Sequence, residues 1–198
     1  MHRRSKRSAT STNEPTTRLA NDQPRGRARR DLKAAVALDR SHHQTDRFDS
    51  GAPALDRWLQ RSASQAECRD AARTYVVADL DGVVVGYATL VAGQITTAEA
   101  AADVAKGMTT HFPIPVAIIA RLAVDRSVQG TGVGMYLLDF ALRRCLLAGD
   151  EVGMRAVVVD AIDLRAAGFY RRFGFKPVQG APHRLMVPLS TLREAFAD

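Results

Sequence analysis

The stretch from Val116 to Ala148 constrains the fold more than any other, reading VAIIARLAV, then DRSVQGTGVG, then MYLLDFALRRCLLA. An unbroken apolar run with Val and Ile predicts a strand buried on both faces. After the glycines, Leu137, Leu138, Ala141, Leu142, Cys145 and Leu146 recur on one helical stripe, while Asp139, Arg143 and Arg144 point elsewhere. The unit is therefore strand, glycine-rich turn, helix, with the helix packed on a sheet.

Between strand and helix lies Gln129-Gly130-Thr131-Gly132-Val133-Gly134. Glycines let backbone N–H groups approach a ligand closely, and a helix start offers unpaired donors and a positive dipole end. Together these predict an anion site, most naturally for a phosphate. The spacing satisfies neither G-x-G-x-x-G nor G-x-x-x-x-G-K-[ST]. A glycine-rich turn that holds no ligand is the bland alternative.

A second signal runs from Asp163 to Phe175, D-L-R-A-A-G-F-Y-R-R-F-G-F, after the apolar strand Ala156 to Val159. Asp163 stands where a helix N-cap is expected and Gly174 where the helix ends as a C′ residue. Read from Gln129, the first loop is Q-x-x-G-x-G and resembles the pyrophosphate loop of the GNAT superfamily of acetyl-CoA dependent N-acetyltransferases. The second segment resembles the short GNAT helix that ends F-Y-x-x-x-G-F. The resemblance implies that Gln129, Gly130, Thr131, Gly132, Val133 and Gly134 hold the pyrophosphate. It further implies that Leu122, Ala123 and Val124 meet the pantetheine through main-chain groups at a strand splay. Phe169 would line the cofactor, and Tyr170 would face the thioester sulfur as the acid. The phenol, with an ordinary pKa of about 10, is protonated at neutral pH.

Other stretches narrow the resemblance. They are H-x-x-x-x-F-x-S-G-x-x-x-L-D-x-W-L (His43 to Leu59), T-Y-V-V (Thr74 to Val77), V-G-Y-A-T-L (Val85 to Leu90) and A-R-L-A-V-D (Ala120 to Asp125). Together with F-Y-x-x-F-G-F they are similar to the GNAT toxins of bacterial type II toxin-antitoxin pairs. That resemblance implies acetylation of the α-amine of aminoacyl-tRNA, a block on translation, a homodimer and a ribbon-helix-helix antitoxin. For the RNA, Arg121, Arg165, Arg171 and Arg172 are the expected contacts, with Arg143 and Arg144 also near by sequence; each could equally be a solvated arginine. No base is assignable from His43, His111 or His183. Asp163 departs from the Asn many family members carry there. A GNAT enzyme for a small-molecule or protein amine, and a non-catalytic relative that binds acetyl-CoA or nucleic acid, are the competing functions.

Charge divides the chain. Residues 1–47 hold 12 Lys and Arg against 5 acids, so the whole net charge of +7 lies in the first quarter, and the remainder is balanced. The Ser-, Thr-, Pro- and Arg-rich start predicts a disordered basic tail over 1–31 and a single domain over 32–198. It has no apolar centre of a secretory signal, and no later run approaches a membrane span. Cys68 and Cys145 form no C-x-x-C, so neither a disulfide framework nor a metal site is expected. A cytoplasmic protein is the simplest reading.

The expected fold is α/β (α+β), a mixed central sheet of about six or seven strands flanked by helices. Strands are expected over 32–38, 74–78, 83–90, 116–124, 156–160, 175–178 and 184–189. A helix entered near Leu55, Trp58 and Leu59, a polar helix over 62–73, a helix or loop over 98–106, and helices over 134–148 and 163–173 fill the gaps.

Overall fold

The computed structural model describes residues 31–178 and 180–197; apart from Asp31, the basic segment expected to be disordered lies outside the described residues. Seven strands form one sheet: β1 Val36–Ala37, β2 Arg73–Ala78, β3 Val84–Ile95, β4 Ile114–Val124, β5 Ala156–Asp160, β6 Lys176–Val178 and β7 Ala181–Pro188. Their order is β1-β2-β3-β4-β5-β7-β6, antiparallel except for the parallel pair β4 and β5. A parallel pair needs a crossover. It is α4, Val133–Val152, the helix expected after the glycines. Its stripe Leu137, Leu138, Ala141, Leu142 and Cys145 is buried against Ala117, Ile119, Val157 and Val159.

The helices α5 (Leu164–Arg171) and α6 (Leu189–Ala195) join α4 on that face. On the other face, α1 (Pro53–Arg57) runs through a π-helical turn, Trp58–Ser62, into α2 (Ala63–Cys68), and they cover Val76, Tyr87 and Ala123. The short α3, Ala102–Ala105, closes a third cluster around Ile114, Val116 and Val158.

Several boundaries differ from expectation for physical reasons. In the segment 32–38, Ala35 and Leu38 are buried at a spacing of three, so only Val36–Ala37 keeps strand register at this edge. The two expected N-terminal helices are one path, joined by the π turn and ended at Cys68, because Asp70 takes φ +54°. Strand β3 runs five residues past Leu90 because Val91 to Ile95 pair with Ile118 to Ile114. The last helix, α6, lies past an expected strand end, and its Leu189 and Leu192 are buried at i, i+3. Gly174 does take a left-handed φ of +82°, but one position beyond C′, since the cap is Arg172.

Candidate active site

Two departures from regular sheet make the site. Thr89 pairs with Arg121 and Leu90 with Ile119, so Ala120 is an extra residue, a β-bulge in β4. Before it, Ala117 and Ile119 face α4. After it, Leu122 and Val124 face that side, while Ala123 faces Phe48 and Tyr87. The parallel ladder also stops at Ile119 and Val159 while β4 runs on to Val124. Main-chain groups of Ala120 to Val124 on that side therefore have no partner strand. The splay that the sequence could not show is present.

The gap opens as a cleft of about 240 Å³ whose walls include Leu122, Val124, Gly134, Phe169 and Tyr170, with Asp163 and Arg165 at its rim. A Cβ on Gly134 would stand 3.5 Å from Val124 Cγ2 and 4.0 Å from Phe169 Cζ, inside that wall. Behind it lies a smaller cavity of about 70 Å³, shared by Leu55, Arg121, Leu122, Asp160 and Tyr170. Tyr170 and Leu122 line both spaces.

The glycine loop is held firmly from within. Gly130 and Gly132 take φ +78° and +99°, values that β-carbons disfavour, and Gly132 is the N-cap of α4. The first helical bond runs from Tyr136 N to Gly132 O, so the N–H groups of Val133, Gly134 and Met135 have no helical carbonyl behind them. Val133 itself is buried in the core, and the Thr131 hydroxyl donates back to Val128 O at 2.6 Å. Gln129 Nε2 donates to Val124 O and to Ser50 O, each at 2.9 Å. Residues from the N-terminal motif complete the brace: Asp49 N donates to Asp125 Oδ2 and Arg126 N to Asp49 O, both at 2.9 Å.

Helix α5 begins at Asp163, whose Oδ1 accepts from Ala166 N at 2.6 Å, so this Asp is an N-cap. It delivers Tyr170 to the gap, 7% exposed, between Phe169 and Phe175 at ring distances of 5.2 and 5.7 Å. Burial pushes the phenol up to about 12. Among the described residues its hydroxyl makes no hydrogen bond.

Of the four arginines expected near RNA, Arg121 lies in the smaller cavity and Arg165 at the cleft rim. Arg171 and Arg172 are exposed beside Tyr170, with Arg172 Cζ 5.7 Å from the Phe169 ring. Arg143 is spent on Asp139 and Arg144 on the Tyr75 hydroxyl. Among the described residues no histidine lines either space; His43 Nδ1 instead accepts from Asp39 N at 2.9 Å, and burial holds it below its ordinary pKa. Among the described residues no group of His, Cys, Asp and Glu is placed to hold a metal. The bulge, the π turn and Trp58 beside Arg121 escaped sequence reasoning, because backbone irregularities have no residue signature there.

Residues 71–177 match the acetyltransferase (GNAT) domain family. A tRNA-acetylating toxin of Mycobacterium tuberculosis is 37% identical over 151 residues, which is 76% of this chain and 89% of that protein. A probable toxin TacT of Sinorhizobium fredii is 27% identical over 79% of this chain and 91% of its own length. In structure, AtaT complexed with acetyl-methionyl-tRNAfMet is similar with a TM-score of 0.76 and 27% identity, over 84% of this chain and 99% of that one. An AtaT mutant bound to the C-terminus of the antitoxin AtaR and acetyl-CoA is similar with a TM-score of 0.72 and 26% identity, over 85% and 99% of the two chains. The splayed strand pair, the glycine loop and these likenesses agree: the chain belongs to the GNAT acetyltransferase family.

Proposed function

We propose that this protein is a toxin that moves the acetyl group of acetyl-CoA to the α-amine of aminoacyl-tRNA and so blocks translation. The observation that carries the reading is Tyr170, set in the gap between β4 and β5 where it lines both the larger cleft and the smaller cavity behind it. The names of the relatives, tRNA-acetylating toxin among them, support the choice of acceptor.

The larger cleft would take the acetyl and pantetheine end of acetyl-CoA, with the rest of the cofactor lying along the glycine loop. First-turn N–H groups around Gly130 to Gly134 would hold the pyrophosphate, Gln129 keeping the loop in place. The open edge of Leu122, Ala123 and Val124 would take the pantetheine amides, and Phe169 would cover the arm. When bound, acetyl-CoA supplies an acyl group already activated as a thioester. Tyr170, kept neutral by burial, donates the proton that the departing sulfur needs.

The acceptor must present a neutral amine, and among the described residues no histidine lines either space to deprotonate one. An aminoacyl ester answers this, because the ester withdraws electrons from its α-amine and lowers its basicity. Arg121, Arg165, Arg171 and Arg172 provide the positive surface for the acceptor strand. A homodimer, a ribbon-helix-helix antitoxin and a cytoplasmic site of action complete the reading; among the described residues no helix is long and apolar enough to cross a membrane.

Mass spectrometry of a charged tRNA pool incubated with the protein and acetyl-CoA tests this. An N-acetylated aminoacyl end is expected. An unmodified pool, with acetyl-CoA bound and consumed by small amines, overturns the tRNA reading.

A further inference from the structure

Arg121 is a half-buried cation that forms no ion pair among the described residues. The other half-buried arginines are spent: Arg155 donates to Val104 O and Lys106 O, and Arg184 grips both carboxylate oxygens of Asp160 at 2.8 and 2.9 Å. Among the described residues, Arg121 makes neither a hydrogen bond nor an ion pair. Its Cζ lies 3.6 Å from the centre of the Trp58 ring instead. The guanidinium rests on the ring and lines the smaller cavity, and a cation with no ionic partner in such a place suits an anionic ligand.

Two backbone irregularities converge on this contact. The bulge at Ala120 turns Arg121 to the face opposite α4, and Trp58 opens the π-helical turn between α1 and α2. Each breaks a regular ladder, and both kinds are concentrated at functional sites. Trp58 is anchored by its own Nε1, which donates to Thr89 Oγ1 at 3.4 Å, and Thr89 bonds to Thr74 within the sheet. The contact holds the guanidinium against the ring, and among the described residues its N–H groups donate to nothing. Asp160 shares the cavity, but Arg184 holds its carboxylate.

We propose that Trp58 and Arg121 form a phosphate subsite beside Tyr170, where Arg121 donates to the phosphate of the acceptor's terminal nucleotide and Trp58 positions the guanidinium. The proposal rests on the aminoacyl-tRNA reading for the identity of the acceptor. A planar donor edge suits phosphate oxygens. Its place beside Tyr170 suits a group within one nucleotide of the reacting amine.

Trp58 is the sole tryptophan in the chain, so its fluorescence reports on this place. The full chain, saturated with coenzyme A to fill the other cleft, is titrated with 5′-AMP and with adenosine. We expect AMP to change the emission saturably, adenosine to leave it unchanged at equal concentration, and Arg121→Ala and Arg121→Lys each to weaken AMP about tenfold. No response to AMP, an equal response to adenosine, or an unchanged response in Arg121→Ala overturns the subsite. With charged tRNA, Trp58→Leu should raise KM at constant kcat and Trp58→Phe should restore most of it; a fall in kcat alone overturns the positioning role. AMP binding needs no acetyl transfer, so an AMP response without tRNA acetylation refutes the tRNA reading only. Acetylation without an AMP response refutes the subsite only.

Discussion

Gln129 Nε2 donates to the carbonyl of Val124 at 2.9 Å and thereby ties the glycine loop to the end of the strand that precedes it. The same amide reaches Ser50 O, so one side chain clamps three segments. A leucine of similar size cannot donate either bond. Gln129→Leu is expected to weaken acetyl-CoA binding by about tenfold or more, the loss of one or two hydrogen bonds that hold the loop. Isothermal titration reads this directly, and unchanged affinity would remove Gln129 from the brace.

Gly134 sits in the wall of the larger cleft, with Val124 and Phe169 at contact distance from a would-be Cβ. It is helical and not at positive φ, so a side chain costs little backbone strain. Gly134→Leu should therefore fold with a thermal midpoint near that of the parent and bind acetyl-CoA too weakly to measure. Retained binding would place the cofactor elsewhere.

Burial raises both Tyr170 and Cys145 to about 12, from ordinary values of 10.0 and 9.0. The folded state therefore holds protons that the unfolded chain loses first. The stability linked to these groups is complete below about pH 9 and drains away as pH rises from 9 to 12. Urea midpoints should fall across that window. In Tyr170→Phe the fall should be shallower; an identical profile would show that Tyr170 titrates normally.

Much of this site was legible because it is built from residues with narrow backbone requirements. Gly130 and Gly132 occupy left-handed positions, Asp163 caps α5, and the apolar stripe of α4 is buried as its spacing demands. Tyr170 is singled out as a candidate only by its place in a motif; nothing in the adjoining sequence distinguishes it from a core aromatic such as Phe175. What remained hidden depends on tertiary register. The bulge at Ala120 decides that Arg121 meets Trp58, and the β4 run gives no sign of it because Ile119, Ala120 and Leu122 are all ordinary strand residues. The edge segment 32–38 misled for the reverse reason, since pairing on one side only lets an Ala-rich run leave regular register.

The most direct test compares the parent protein with Tyr170→Phe, measuring acetyl-CoA affinity and the rate of aminoacyl-tRNA acetylation side by side. Among the described residues the hydroxyl makes no hydrogen bond, so its removal should leave affinity and fold unchanged while the rate falls by about two to four orders of magnitude. A rate equal to that of the parent, at equal cofactor affinity, would contradict the role of Tyr170 as the acid at the strand gap.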